Sequence, residues 1–170
     1  QKLNETGATV AGDSTAVIGN AAVFSKGVGN DYLNLGSALL TGGSWSVALW
    51  FRLDSQGEDS PLWSQTSMLN TYQILRVTTS NKIRCSVNGE TNVSEYGTAL
   101  SAATWYHAVM TYNGTAQTLF INSVQRDSDN ATADYSADNM NLGFRTVLTG
   151  FNGRIDLAGA WNKVLSQDEI

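Results

Sequence analysis

From residue 104 to residue 112 the side chains alternate between two faces, with Trp105, His107, Val109 and Thr111 on one and Tyr106, Ala108, Met110 and Tyr112 on the other. A period of two is the signature of a β-strand. Asn113-Gly114 follows, a pair that accepts positive φ, and the alternation resumes over 118–122 through Leu119 and Ile121. The two runs therefore predict a hairpin. The same pattern is stronger over 45–53, where Trp45, Val47, Leu49, Phe51 and Leu53 alternate with Ser46, Ala48, Trp50 and Arg52. It is the most apolar run in the chain, which predicts a central strand.

Shorter runs lie at 21–24, 32–35, 72–78, 82–87, 141–144 and 153–161. Those at 72–78 and 82–87 are joined by Thr79, Ser80 and Asn81 and read as a second hairpin, and the last run places Ile155, Leu157, Gly159 and Trp161 on one side. Residues 1–20 are polar and read as an edge strand or a draped loop. Pro61 is expected to block pairing through its own amide just before Leu62 and Trp63. Residues 127–139, with Asp127, Asp129, Asp134 and Asp138, read as a long exposed loop. Ser166 followed by Gln167, Asp168 and Glu169 reads as an N-cap and the first turn of a helix. No helical periodicity separates the runs, so they must pair antiparallel and hide their apolar faces in two packed sheets or a barrel. The predicted fold is all-β, a two-sheet antiparallel jelly-roll sandwich forming a single domain over residues 1–170.

Composition narrows the function. The net charge of −5, with ten Lys and Arg spread thinly, argues against nucleic acid as a partner. No apolar run reaches the length of a membrane span. The first residues lack the features of a signal peptide, and the start at Gln1 fits a processed or excised module of a longer chain. Cys85 stands alone, on the apolar side of its run with Ile83 and Val87, and is expected to be a buried thiol. Four Asn-x-Ser/Thr triplets, at Asn4, Asn92, Asn113 and Asn130, are what chance gives in a chain so rich in these residues.

The run SWSVALWFRL, then KIRCSVNG, then TWYHAVMTYNGTAQTLFINS, then FNGRIDLAGAWNKVLSQDEI resembles the laminin-G-like branch of the concanavalin A-like lectin/glucanase superfamily, from about residue 21 to residue 170. Trp105, His107, Val109, Tyr112, Asn113 and Gly114 match one motif of that family, with Ser123 in place of a usual Gly; Gly153, Arg154, Ile155 and Asp156 match the closing one, with Leu157 in place of a usual Glu. The LNE at residues 3–5 is similar to its first strand. The resemblance implies a secreted or surface-exposed, mostly non-catalytic module that binds glycan or glycoprotein. It also implies a structural Ca²⁺, with Asp156 as a ligand joined by Glu5 and by oxygens of the 27–31 turn, Asn30 and Asp31 among them; carboxylates and turn carbonyls suit that ion.

Catalysis is tested residue by residue. Retaining glycosidases need two carboxylates about 5–5.5 Å apart, and only Asp156 lies clearly on a predicted strand. His107, the only histidine, has no visible nucleophile or acid partner, and its match to a recurrent strand histidine of the family implies a buried structural role. One His and one Cys do not make a zinc set. For sugar stacking, Trp45, Trp50, Trp105 and Trp161 occupy positions where the family keeps large apolar groups, so they are expected in the core. The remaining aromatics, Trp63, Tyr72, Tyr96, Tyr135 and Phe144, with Arg76, Arg84 and Arg145 nearby, are the candidate ligand-binding set. A second reading is a structural subunit of an extracellular or viral fibre or filament, built from copies of the same sandwich paired at a sheet edge.

Overall fold

In the computed structural model, residues 4–6, 9–10, 16–26, 31–34, 36–37, 40–66, 71–89, 91–133, 139–146 and 149–170 are described, with only the backbone at 4–6, 9–10, 71, 72, 146 and 149. Sixteen strands form among them: β1 (Asn4–Thr6), β2 (Thr9–Val10), β3 (Ala22–Phe24), β4 (Tyr32–Asn34), β5 (Trp45–Leu53), β6 (Ser60–Thr66), β7 (Thr71–Val77) and β8 (Ile83–Ser86) in the first half. The second half adds β9 (Ser94–Tyr96), β10 (Trp105–Tyr112), β11 (Ala116–Ile121), β12 (Val124–Asn130), β13 (Asn139–Leu142), β14 (Phe144–Thr146), β15 (Thr149–Gly150) and β16 (Gly153–Trp161). No described residue is helical.

The first sheet runs β1-β4-β13-β6-β7-β8-β9 and the second β12-β11-β10-β5-β16-β3-β2, with β14-β15 a separate two-stranded piece. All pairings are antiparallel, and the fold is the expected all-β jelly-roll sandwich. β5 sits at the centre of the second sheet, between β10 and β16, and its alternate residues Trp45, Val47, Leu49, Phe51 and Leu53 all enter the core. They meet Trp63, Leu75, Val77, Ile83 and Cys85 of the first sheet. The Trp45 ring lies 5.9 Å from that of Trp63 and 5.7 Å from that of Tyr112. Cys85 is the buried thiol expected; burial first, and the charge of Asp127 second, push its pKa far up.

Polar side chains that enter this interior are bonded there. Gln117 of β11 accepts from Val87 N–H at 2.9 Å and donates to the carbonyls of Cys85 and Asn92 at 3.3 and 3.2 Å. One side chain of the second sheet thus ties the edge of the first. Gln65 does the same for the segment before β5, bonding both the amide and the carbonyl of Leu40.

Two local expectations are corrected, for residues 127–130 and for β16, and two, for Pro61 and Ser166, gain their geometry. Pro61 lies inside β6, opposite Arg76, at a register shift where Leu62 is the extra residue; a bulge is where a strand tolerates proline. Residues 127–130 are not loop but part of β12, an exposed edge strand, while 134–138 lie outside the described residues. The one-sided pattern of β16 is broken by a shift between Asp156 and Gly159, with Leu157 at φ 49°, so Ile155 enters the core whereas Leu157 and Trp161 are exposed. The helix start at Ser166 is a single turn, in which Glu169 and Ile170 N–H groups bond Ser166 O and the Glu169 carboxylate caps Ser166 N–H.

The outer faces differ. On the second sheet, the C-terminal segment covers Ala48, Val109 and Phe120 with Leu165, and Ser46 Oγ bonds Lys163 O and Leu165 N–H. On the first sheet, the outward row Asn34, Asn141, Ser64, Ile74 and Ser86 follows from the register. Its middle is buried beside β14, whose Phe144 carbonyl accepts from Ser64 Oγ at 2.6 Å. The next outward row is Arg76, Arg84 and Glu95.

Candidate functional site

Strand register sets Arg76 directly opposite Arg84, and Arg84 opposite Glu95. Two like charges facing each other across a strand pair destabilise it unless counter-charges flank them. Here they do. Arg76 Nη1 donates to Asp59 Oδ1 at 2.5 Å, and Arg145, from the β14 segment, brings Nη1 to 3.6 Å from Asp59 Oδ2. Arg84 donates through Nε and Nη2 to Glu95 Oε2 at 3.1 and 2.6 Å, and Lys82 Nζ donates to Oε1 at 3.3 Å. Burial alone would raise the pKa of Glu95, but the hydrogen bonds and charges of Arg84 and Lys82 outweigh it and hold the carboxyl below its usual range.

Asp59, Arg76, Lys82, Arg84 and Glu95, with Thr78, Thr79 and Ser80, line a cleft of about 420 Å³. Its rim is the β7–β8 turn. Thr78 N–H bonds Lys82 O and Asn81 N–H bonds Thr78 O, both at 2.8 Å, with Asn81 at φ 60°, a conformation asparagine tolerates. Asn81 also accepts Gly57 N–H through Oδ1 at 2.7 Å and Leu100 N–H through its carbonyl at 2.8 Å. The hydroxyls of the turn are therefore presented from a backbone held on two sides.

Of the predicted ligand-binding set, the structure brings together Arg76, Arg84 and Arg145. Trp63 is fully buried between the sheets, with Nε1 lacking a partner, and cannot stack on a ligand. Tyr96 lies opposite Ile83, packs against the core and is covered by Arg126, whose guanidinium carbon is 4.6 Å from the ring centre. Phe144 stacks on Tyr32 at 4.6 Å, away from the lined cleft. Tyr72 lies on β7 with only its backbone described, and Tyr135 lies outside the described residues. Sequence reasoning missed Asp59, Lys82, Glu95 and the turn hydroxyls. Lys82 was within reach, because residues 82 and 84 share a strand face; Glu95 was not, since the three-residue β9 has no readable alternation.

The predicted calcium donors behave differently. Asn30 lies outside the described residues, and Glu5 is placed only as backbone, in β1 of the first sheet, whereas Asp156 is in the second. Asp31 Oδ2 accepts Ser25 N–H at 2.9 Å. Asp156, 8% exposed, accepts Val17 and Ile18 N–H on Oδ2, both at 3.0 Å, and Leu157 N–H on Oδ1 at 2.8 Å. A carboxylate already holding three amides is a poor fit to a cation, and no group of three or more His, Cys, Asp or Glu among the described residues could hold a metal.

Trp50, Trp105 and His107 depart from the core expectation. Trp50 and Trp105 are partly exposed, and His107 is half-buried against Trp50, ring centres 5.1 Å apart, outside the sandwich; desolvation lowers its pKa. Trp161 lies over Gly159 at 39% exposure, where a Cβ on the glycine would meet the indole ring.

A profile of the concanavalin A-like lectin/glucanases superfamily matches residues 26–170. No curated protein matches the sequence. Among solved structures, Domain 4 of AbnA, a GH43 extracellular arabinanase from Geobacillus stearothermophilus, in complex with arabinotriose, superposes with a TM-score of 0.75 at 18% identity, over 95% of this chain and 78% of that one. The heptameric SAP-like pentraxin of Limulus polyphemus gives 0.64 at 11% identity, over 80% and 71%. The binding domain of botulinum neurotoxin DC in complex with SialylT gives 0.73 at 11% identity, over 98% of this chain and 44% of that one. At such identities these likenesses show the fold.

Proposed function

The chain belongs to the concanavalin A-like lectin/glucanase superfamily, and on that premise we propose that it is a non-catalytic, extracellular carbohydrate-binding module with its site in the cleft on the outer face of the first sheet. The observation that carries the reading is the cleft itself: about 420 Å³ of space lined by hydroxyls, guanidinium groups, an ammonium and two carboxylates on a held backbone. That is a volume and a donor-acceptor density suited to one or two sugar rings. The arabinotriose and SialylT complexes of two fold relatives support the same ligand class.

The same residues argue against hydrolysis. A glycosidase acid needs a raised pKa, whereas Glu95 is held below its usual range by the hydrogen bonds and charges of Arg84 and Lys82. Binding is what such a cleft does.

Ile18 and Leu157, at 67% and 49% exposure, and Trp161 favour the second reading, self-assembly through the outer face of β16. Glycan-array binding by the purified chain, with its mass measured in the same buffer, separates the two. A monomer that binds glycan, and loses at least about tenfold in affinity in Arg84→Ala, supports the module. Large oligomers without glycan binding support the subunit and overturn the module.

A further inference from the structure

The β10–β11 turn, the end of β12 and the segment before β9 enclose a second pocket, of about 230 Å³, lined by Asn92, Gly114, Thr115, Asn130, Ala131 and Thr132. Its walls are held from within. The buried Tyr112 side chain donates through its hydroxyl to Gly114 O at 2.7 Å and accepts Ala133 N–H at 3.2 Å, and Ala131 N–H donates to Thr115 O at 3.0 Å. Asn92 Nδ2 donates to Asn130 O at 2.5 Å, and Gln117 Nε2 holds the Asn92 carbonyl at 3.2 Å. The turn itself is fixed by Asn113, whose Oδ1 accepts Thr115 and Ala116 N–H groups at 3.0 and 2.8 Å. From this tied backbone the exposed Asn130 carboxamide and Thr132 hydroxyl make no hydrogen bond among the described residues, so both are available to a ligand.

The lining decides the ligand. Among the described residues none of its members is charged, so an ion would meet no counter-charge. None carries an apolar group larger than a methyl, so an apolar ligand would find little surface to bury against. Carboxamides and hydroxyls donate and accept side by side, as the hydroxyls of an uncharged sugar do. We propose that this pocket takes one unit of a neutral sugar, as a second site that shares no lining residue with the cleft on the first sheet. Its volume lies below that of pockets for larger ligands and suits a single ring. Hydrogen bonds from a fixed backbone, not charge, supply the recognition.

Titration of the ¹⁵N-labelled chain with arabinose, galactose, glucose and mannose, each to about 50 mM and followed by ¹H–¹⁵N correlation spectra, tests this. At least one of the four is expected to give saturable shifts at residues 92, 114, 115 and 130–132, and glycerol, which has hydroxyls but no ring, to give none there. Thr132→Val and Asn130→Asp should each weaken that titration at least about fivefold, the effect of losing a hydrogen bond. Both side chains are exposed, so the variants fold as the parent does, and unfolding curves check this. Unmoved pocket residues with all four sugars, equal shifts with glycerol, or a titration that neither variant weakens overturns the second site. Cleft residues 59, 76, 78–84 and 95 report separately on the function proposed above: shifts there alone sustain that reading without this one, and shifts at the pocket alone do the reverse.

Discussion

Both oxygens of Asp156 are engaged by backbone amides, and two of the three belong to residues 17 and 18, nearly the whole chain away in sequence. The carboxylate thus fastens the N-terminal segment to the second sheet. Asp156→Ala leaves three amides to find other partners and is expected to lower stability by about 2–3 kcal/mol, measured by denaturant unfolding; Asp156→Asn, which keeps one oxygen, should fall between. Because three of the carboxylate's roughly four acceptor positions are already taken by amides, added calcium or chelator should leave Tm unchanged to within about 1 °C, and a clear rise with calcium would show instead that the ion binds the fold. The sequence placed Asp156 on the polar face of its strand correctly. Its partners were not legible, since nothing in a polar N-terminal stretch marks which amides will meet a carboxylate 139 positions later.

Gln117 shows the same limit among strands. The run beginning one residue after it, 118–122, was read as the second arm of a hairpin, and β10 and β11 pair as expected, with Tyr112 opposite Gln117. The polar residue at an inward position is explained only by the edge of the other sheet, where Val87 N–H and the carbonyls of Cys85 and Asn92 wait for it. Gln117→Ala removes those bonds inside a closed interior and is expected to cost about 2–4 kcal/mol, read from the unfolding midpoint. A loss near zero would mean that the two sheets are joined by apolar packing alone. The bounds of β5 were legible to the residue, and those of β7, β8, β10 and β11 to within one or two. The polar β12, the short β9 and the bulges in β6 and β16 were not, because a strand made of Asp, Ser and Asn has the composition of a loop, and a bulge leaves no mark on periodicity.

Over the whole molecule, the two-sheet sandwich follows from alternation without helical periodicity, and the core from the apolar phase of β5. The site does not follow so directly. Arg76, Arg84 and Arg145 were candidates, but of their aromatic companions Trp63 is buried, Tyr96 is covered by Arg126 and Phe144 is stacked on Tyr32, while the Tyr72 side chain and Tyr135 lie outside what is described, and the cleft is completed by Asp59, Lys82 and Glu95. What assembles it is cross-strand register between β7, β8 and β9, which side-chain type does not encode locally. The opposite face, with Trp50 on His107 and the exposed Leu157 and Trp161, is the competing surface. The measurement that separates them is a ¹H–¹⁵N correlation spectrum of the labelled chain titrated with the oligosaccharide that binds best on the glycan array. Shifts concentrated at residues 59, 76, 78–84 and 95 are the predicted result; shifts confined to β16 and its neighbours, with residues 76–84 unmoved, would contradict it.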